Sequence, residues 1–231
     1  MRNVLERASR VAIELLFPAH CALCGAGGVL LCDGCIGGLA PADGRRCLSC
    51  WVPLSRGEAC RHCAERQPAF ASIRAAYVME DGARRLAHEL KYEGLTSLAE
   101  PMALLMARNI EFEDADLVVP VPLHRSRERA RGYNQASQLG KHFAAASGLG
   151  FDARALRRIR TTAPLAKTMH REERRAIVAG AFRGESGRVE GRRILLVDDV
   201  VTTGATLDAC SEALLASGAA FVQCITWARA D

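Results

Sequence analysis

The stretch from Ile194 to Leu207 constrains this chain more than any other. Ile194, Leu195, Leu196 and Val197 run in succession and end in two adjacent carboxylates, Asp198 and Asp199. An unbroken aliphatic run suits a parallel strand covered on both faces. Val200 and Val201 follow, then a short loop, Thr202-Thr203-Gly204-Ala205-Thr206, and then a helical pattern. The order is buried strand, acidic mouth, polar loop, helix. Open α/β sheets bind ligands beyond the carboxyl ends of their strands.

Each part has a physical task. Neighbouring carboxylates repel, so they are tolerable where they accept hydrogen bonds from vicinal hydroxyls or face a divalent cation. Gly204 lets the backbone approach closely, and successive N–H groups at a helix N-terminus favour phosphate. A diol and a phosphate together describe a ribose 5-phosphate. The segment resembles the phosphoribosyl pyrophosphate (PRPP) binding motif of type I phosphoribosyltransferases. That motif has four hydrophobics, two acids, two hydrophobics and Thr-Thr-Gly-x-Thr, and residues 194–206 match it throughout. The resemblance implies that Asp198 and Asp199 are the catalytic acids, holding the ribose hydroxyls. It also implies that Val201, Thr202, Thr203, Gly204, Ala205 and Thr206 hold the 5-phosphate, with Mg²⁺ accompanying PRPP.

The other end of the chain carries a different chemistry. Cys21/Cys24, Cys32/Cys35, Cys47/Cys50 and Cys60/Cys63 are Cys-x-x-Cys pairs, and of the cysteines only Cys210 and Cys224 lie elsewhere. Each pair can form a knuckle presenting two thiolates, and four thiolates complete a tetrahedral structural zinc site. Two structural zinc ions are expected, with sequential and interleaved pairing both open and an iron–sulfur cluster as the alternative. The start of the chain does not read as a secretory signal, so a reducing, cytoplasmic setting is expected rather than disulfides. His20 and His62 read as bystanders, and Cys210 and Cys224 as small buried residues.

A length of 231 residues allows one ordinary domain and a small one. We expect an N-terminal amphipathic helix over 1–19, a double zinc ribbon over 20–68 and an α/β body over 69–231. The ribbon is too short and glycine-rich to fold on hydrophobic burial, so metal binding would supply its folding free energy. No apolar run approaches the ~20 residues of a membrane span, which argues against membrane insertion. The net charge of +5, carried mainly by arginine, is compatible with anionic ligands but decides little.

Periodicity predicts strands at 72–79, 117–120, 155–158 and 221–226. Helices are expected after Asp81, which can cap the first of them, at 97–109, at 133–146 and at 206–216. Alternation of this kind argues for a mostly parallel sheet with flanking helices. Between the second strand and its helix lies Pro120-Val121-Pro122-Leu123-His124-Arg125-Ser126-Arg127-Glu128-Arg129-Ala130-Arg131-Gly132-Tyr133-Asn134-Gln135. Guanidinium groups suit pyrophosphate oxygens. The functional reading is a pyrophosphate loop, and the alternative is a solvated basic loop.

These segments, with Lys91-Tyr92-Glu93-Gly94 and Gly180-Ala181-Phe182, resemble the competence protein F family. That family joins a double zinc ribbon to a type I phosphoribosyltransferase domain and is linked to DNA uptake in natural transformation and to use of external DNA. The resemblance implies that Lys91, Arg125, Arg127 and Arg131 lie near the pyrophosphate. One region departs from it. Between Arg160 and Arg171, where a glutamine-bearing lid is expected, the chain has Thr161 to His170, and Ile177 replaces an asparagine. Lys167, His170, Arg171 and Arg174 are substitutes for the lid's charge. Two function classes follow. One is a PRPP-dependent transferase. The other is a non-catalytic nucleotide sensor or adaptor whose ribbons dock single-stranded DNA or a helicase-like partner. Trp51, Phe70 and Tyr77 are few aromatics for base stacking, so protein docking weighs at least as heavily.

Overall fold

The computed structural model describes residues 19–160 and 171–230. The expected N-terminal helix and the Thr161–His170 segment, with Lys167 and His170, lie outside them.

The strands in chain order are β1 (Ser72–Val78), β2 (Leu117–Pro120), β3 (Gly150–Phe151), β4 (Leu156–Arg158), β5 (Phe182–Gly184), β6 (Arg193–Val201) and β7 (Phe221–Arg229). Five of them form one sheet in the order β1-β7-β6-β2-β3, and every pairing in it is parallel. The helices that matter here are α1 (Asp81–Tyr92), α2 (Ala99–Asn109), α3 (Arg125–Arg131), α4 (Gln135–Ser147), α5 (Arg171–Val178) and α6 (Ala205–Ala216).

Alternation along the strands builds two cores. Leu195 and Val197 of β6 join Ile225 and Trp227 of β7 in a cluster with Leu90, Met102, Leu139 and Phe143 from α1, α2 and α4. Ile194 and Leu196 face the other way, with Val119, Cys224, Leu207, Cys210 and Leu214. A sheet buried on both faces needs apolar residues at successive positions, which is what Ile194–Val197 supply. Cys210 and Cys224 are fully buried there, as expected.

Four sequence expectations need correction. The motif strand continues through both acids to Val201, because β7 pairs with it as far as Arg229. β4 does not join the main sheet but pairs antiparallel with β5. The arginine-rich segment is not a loop but the short helix α3, closed by Gly132 in the left-handed region at φ 83°. Asp81 does not cap α1; Glu80 holds that position, and Asp81 is the first helical residue at φ 30°.

This topology positions the site. β2 runs into α4 and then outward to β3, while β6 runs into α6 and back to β7. The connections from the neighbouring strands β2 and β6 therefore diverge to opposite sides, which opens a crevice at their carboxyl ends. β2 ends with Pro120 opposite Val197, so Asp198 and Asp199 stand one step beyond it.

Candidate functional site

The two metal sites come first in the chain. The sulfurs of Cys21, Cys24, Cys32 and Cys35 form one group and those of Cys47, Cys50, Cys60 and Cys63 another, each within 4.8 Å of one another. Sequential pairing is thus the arrangement in the fold. The Sγ–Sγ distances Cys24–Cys32, Cys47–Cys63 and Cys50–Cys60 are 3.7, 3.8 and 3.6 Å. A tetrahedron of thiolates at about 2.3 Å from zinc has edges of about 3.8 Å, so both groups fit one structural zinc ion each. Burial pushes the Cys21 thiol up, but N–H groups of Cys32, Cys24 and Leu23 outweigh it and bring the thiol down to about 6. His20 and His62 belong to neither group.

The two groups rest on different parts of the body. The first touches α1: Arg85 donates to the Leu23 carbonyl at 3.0 Å. A Cβ at Gly82 would sit 2.9 Å from a Leu39 methyl and 3.1 Å from a Leu23 methyl. The second touches β1 and the motif loop. Ile73 N–H donates to the Ser49 carbonyl at 2.7 Å, and Arg74 donates to Leu48 at 2.8 Å.

The cradle lies at the end of β6. Gly204, at φ 80°, N-caps α6. Thr202 is exposed, and Thr203 and Thr206 are half-buried. The Thr203 hydroxyl accepts from the Ala205 N–H at 3.4 Å. The twelve-residue helix that follows puts its positive end beside this loop, a position that favours an anion. Arg174 of α5 reaches the same loop, donating from Nη1 to the Thr202 hydroxyl at 2.8 Å.

The acids differ in environment. Asp199 is buried and forms an ion pair with Lys91 at the end of α1. Burial pushes the Asp199 carboxyl up, but Lys91, with help from Asp198 and Gln135, holds it below the usual range. Asp198 accepts from the Asp199 N–H at 2.9 Å. Burial, then the neighbouring Asp199 charge, raises the Asp198 carboxyl well above its ordinary value. Environment pushes two identical carboxyls in opposite directions, Asp199 toward the anion and Asp198 toward the protonated form.

The basic residues sort unequally. Lys91, Arg127 and Arg131 line one cleft of about 480 Å³ with Tyr92, Gly94 and Tyr133. Arg125 is exposed on α3 and is not among that cleft's lining. Arg131 donates to Gln135 and lies over the Tyr92 ring at 5.3 Å. Its neighbours show a role the sequence did not reveal. The Tyr133 hydroxyl donates to the Leu90 carbonyl. Asn134 caps α4, accepting from Ala136 at 3.0 Å and donating to the Val121 carbonyl at 3.0 Å. Arg-Gly-Tyr-Asn-Gln is a joint that caps α4 and fastens it to the end of α1 at Leu90, one residue before Lys91. Its appearance as a motif was the signal for it.

Comparison with known proteins agrees with this layout. Residues 12–64 match the model of the double zinc ribbon domain, and residues 131–230 that of the phosphoribosyl transferase domain. Fold and sites therefore define a double zinc ribbon joined to a phosphoribosyltransferase-type domain. The DNA utilization protein YhgH of Salmonella typhimurium is 30% identical over 77% of this chain and 81% of its own. Competence protein ComFC of Bacillus subtilis is 27% identical over 82% and 80%. Competence protein F of Haemophilus influenzae is 32% identical over 50% and 51%. The chain belongs to the competence protein F family. Among solved structures, the glutamine PRPP amidotransferase of B. subtilis is similar at 21% identity and a TM-score of 0.43, over 60% of this chain and 30% of that one.

Proposed function

We propose that this protein binds PRPP with Mg²⁺ at the carboxyl edge of β6 and β2 and transfers its phosphoribosyl group in the use of external DNA. One observation carries the reading. The acid pair Asp198/Asp199 and the loop Thr202–Thr206 stand in sequence on one strand–turn–helix, beside a basic cleft holding Lys91 and Arg127. On this reading the loop takes the 5-phosphate, the acids the ribose hydroxyls and the cleft the pyrophosphate. Mg²⁺, a hard cation suited to carboxylate and phosphate oxygens, supplies charge neutralisation on the pyrophosphate.

The protein's own contribution is positioning and electrostatics. The bond from C1 of the ribose to pyrophosphate breaks with both electrons leaving on oxygen, and positive charge grows on the ring until a lone pair of the acceptor forms the new bond to C1. Asp198 and Asp199 face that charge, and Lys91 and Arg127 face the leaving group. Lys91 is paired with Asp199 within the fold, so on this reading a bound ligand competes with Asp199 for Lys91. The names of the relatives support a place in DNA utilization or competence. No helix among the described residues is long and apolar enough to cross a membrane. Eight cysteines gathered as two thiolate sets need reduced sulfur, which supports a reducing, cytoplasmic setting.

Titration calorimetry with PRPP and Mg²⁺ tests the pocket, and a screen of nucleobases and amines for pyrophosphate release tests turnover. Heat without pyrophosphate release selects the non-catalytic sensor or adaptor, with single-stranded DNA or a helicase-like protein as its partner. Absence of PRPP binding defeats the transferase and the PRPP sensor and leaves the zinc-ribbon adaptor.

A further inference from the structure

The second zinc group is built into the wall of the phosphate cradle. Arg229 ends β7 opposite Val201 of β6 and is almost wholly buried. Its guanidinium donates from Nη1 to the Cys50 carbonyl at 2.8 Å and from Nη2 to the Thr202 carbonyl at 3.2 Å. One planar fork thus holds a zinc-knuckle backbone and the first loop residue together. Packing repeats the link. Cys47, Cys50, Phe70, Ile73, Val201 and Ala205 belong to one buried cluster. A Cβ on Gly204 would lie 3.4 Å from Ile73 Cδ1 and 3.9 Å from Phe70. The first zinc group lies instead against α1.

We infer that Arg229 is a positioning residue for the phosphate loop, through which metal occupancy at Cys47, Cys50, Cys60 and Cys63 sets the affinity for the 5-phosphate end of the ligand. A phosphate loop binds tightly when its N–H groups are pre-aimed. Arg229 fixes the Thr202 carbonyl, and so the direction of the following N–H groups. The Cys50 carbonyl keeps its place only while the knuckle is folded around zinc, since such ribbons fold with their metal. The second ribbon is therefore an affinity-setting part of the pocket, in addition to any partner it docks. This inference rests on the ribose phosphate reading of the loop.

The test uses the full-length protein, with zinc counted by mass spectrometry and binding of ribose 5-phosphate and of inorganic pyrophosphate measured by calorimetry. Arg229→Gln is expected to keep two zinc ions while ribose 5-phosphate affinity falls about ten-fold and pyrophosphate affinity stays within about two-fold. Arg229→Lys, which keeps the buried charge, restores part of the loss. Cys60→Ser is expected to lose one zinc and weaken ribose 5-phosphate similarly, and the double variant to be no worse than either single one. Hydrogen exchange at residues 203–205 rises in each, and this readout holds even where a variant is too unstable for calorimetry. Wild-type affinity in Arg229→Gln, at full zinc content, overturns the relay alone. A wild-type protein that binds no ribose 5-phosphate overturns the pocket reading and the relay with it.

Discussion

Lys91, at the last turn of α1, forms an ion pair with Asp199, the second acid of the β6 motif, across 108 positions of sequence. The Asp199 side chain is 4% exposed and that of Lys91 24%. In such a place each charge relies on the other, since an unpaired buried ion is strongly unfavourable. The pair joins the helix that carries the first zinc group to the strand that carries the acids.

Lys91→Met is expected to destabilise the ligand-free protein by about 3 kcal/mol, because it strands the Asp199 carboxylate in a dry position. Lys91→Met/Asp199→Asn removes both charges and is expected to recover much of that loss. Urea denaturation of the four proteins of this cycle measures the coupling. Additive losses in the double variant contradict a mutually dependent pair.

The two acids also predict opposite pH behaviour. The Asp199 carboxyl is held below its unfolded value of 3.8, so its contribution is present above that pH and fades as pH falls through the folded value. The Asp198 carboxyl is raised well above 3.8, so the folded state holds its proton more tightly than the unfolded chain does. Its favourable state lies below pH 3.8 and is lost as pH rises through the folded value. Asp198→Asn mimics the protonated form. It is expected to raise ligand-free stability at pH 7, to flatten the stability profile above pH 4, and to abolish PRPP binding. A lower melting temperature than wild type at pH 7 contradicts this assignment.

Some of this was legible in the sequence and some was not. The Ile194–Val197 run and the Thr/Gly loop lie in one contiguous segment, so local pattern alone placed them on strand and turn, whereas the extension of the strand through both acids depends on pairing with β7. The Cys-x-x-Cys pairs were equally plain as knuckles, but their sequential pairing depends on chain path and only the fold shows it. Arg125 to Arg131 read as a loop because two prolines precede it and no apolar stripe marks a helix. The helix is nonetheless formed, capped by His124, whose Nδ1 accepts from Ser126 N–H at 3.3 Å, and ended by Gly132. Lys91 was placed near pyrophosphate by resemblance, but its pairing with Asp199 is long-range and had no local signature. Arg229 and Gln135 were missed as site residues for the same reason.

Gly204 offers a test of backbone need. At φ 80° an L side chain is strained, and the space above it holds Ile73 Cδ1 at 3.4 Å. Gly204→Ala is expected to cost about 1–2 kcal/mol in stability from the left-handed conformation alone. The same change shifts the N–H groups of the loop, so ribose 5-phosphate affinity falls more than stability does. Parallel chemical denaturation and calorimetry separate the two effects. Equal affinity in wild type and variant removes the cradle role from this turn.

Metal content gives the last test. Each four-cysteine group has sulfur spacings of a tetrahedral thiolate site, so purified protein is expected to hold two zinc ions per chain and no iron. A visible absorption band with stoichiometric iron and sulfide points to clusters instead. Chelation at neutral pH is expected to unfold the ribbons while leaving the parallel sheet in place, because the sheet's cores are closed by Leu195, Leu196, Ile225 and Trp227 without the metal. Near-ultraviolet circular dichroism separates these events. Trp51 lies beside the second zinc group, next to Cys50, and its indole N–H donates to the Ala42 carbonyl at 3.0 Å. Trp227 is buried in the body and donates to the Ala83 carbonyl at 3.0 Å. Loss of the Trp51 signal with retention of that from Trp227 is the expected outcome, resolved with Trp51→Phe. Simultaneous loss of both shows that the metal sites hold up the whole chain.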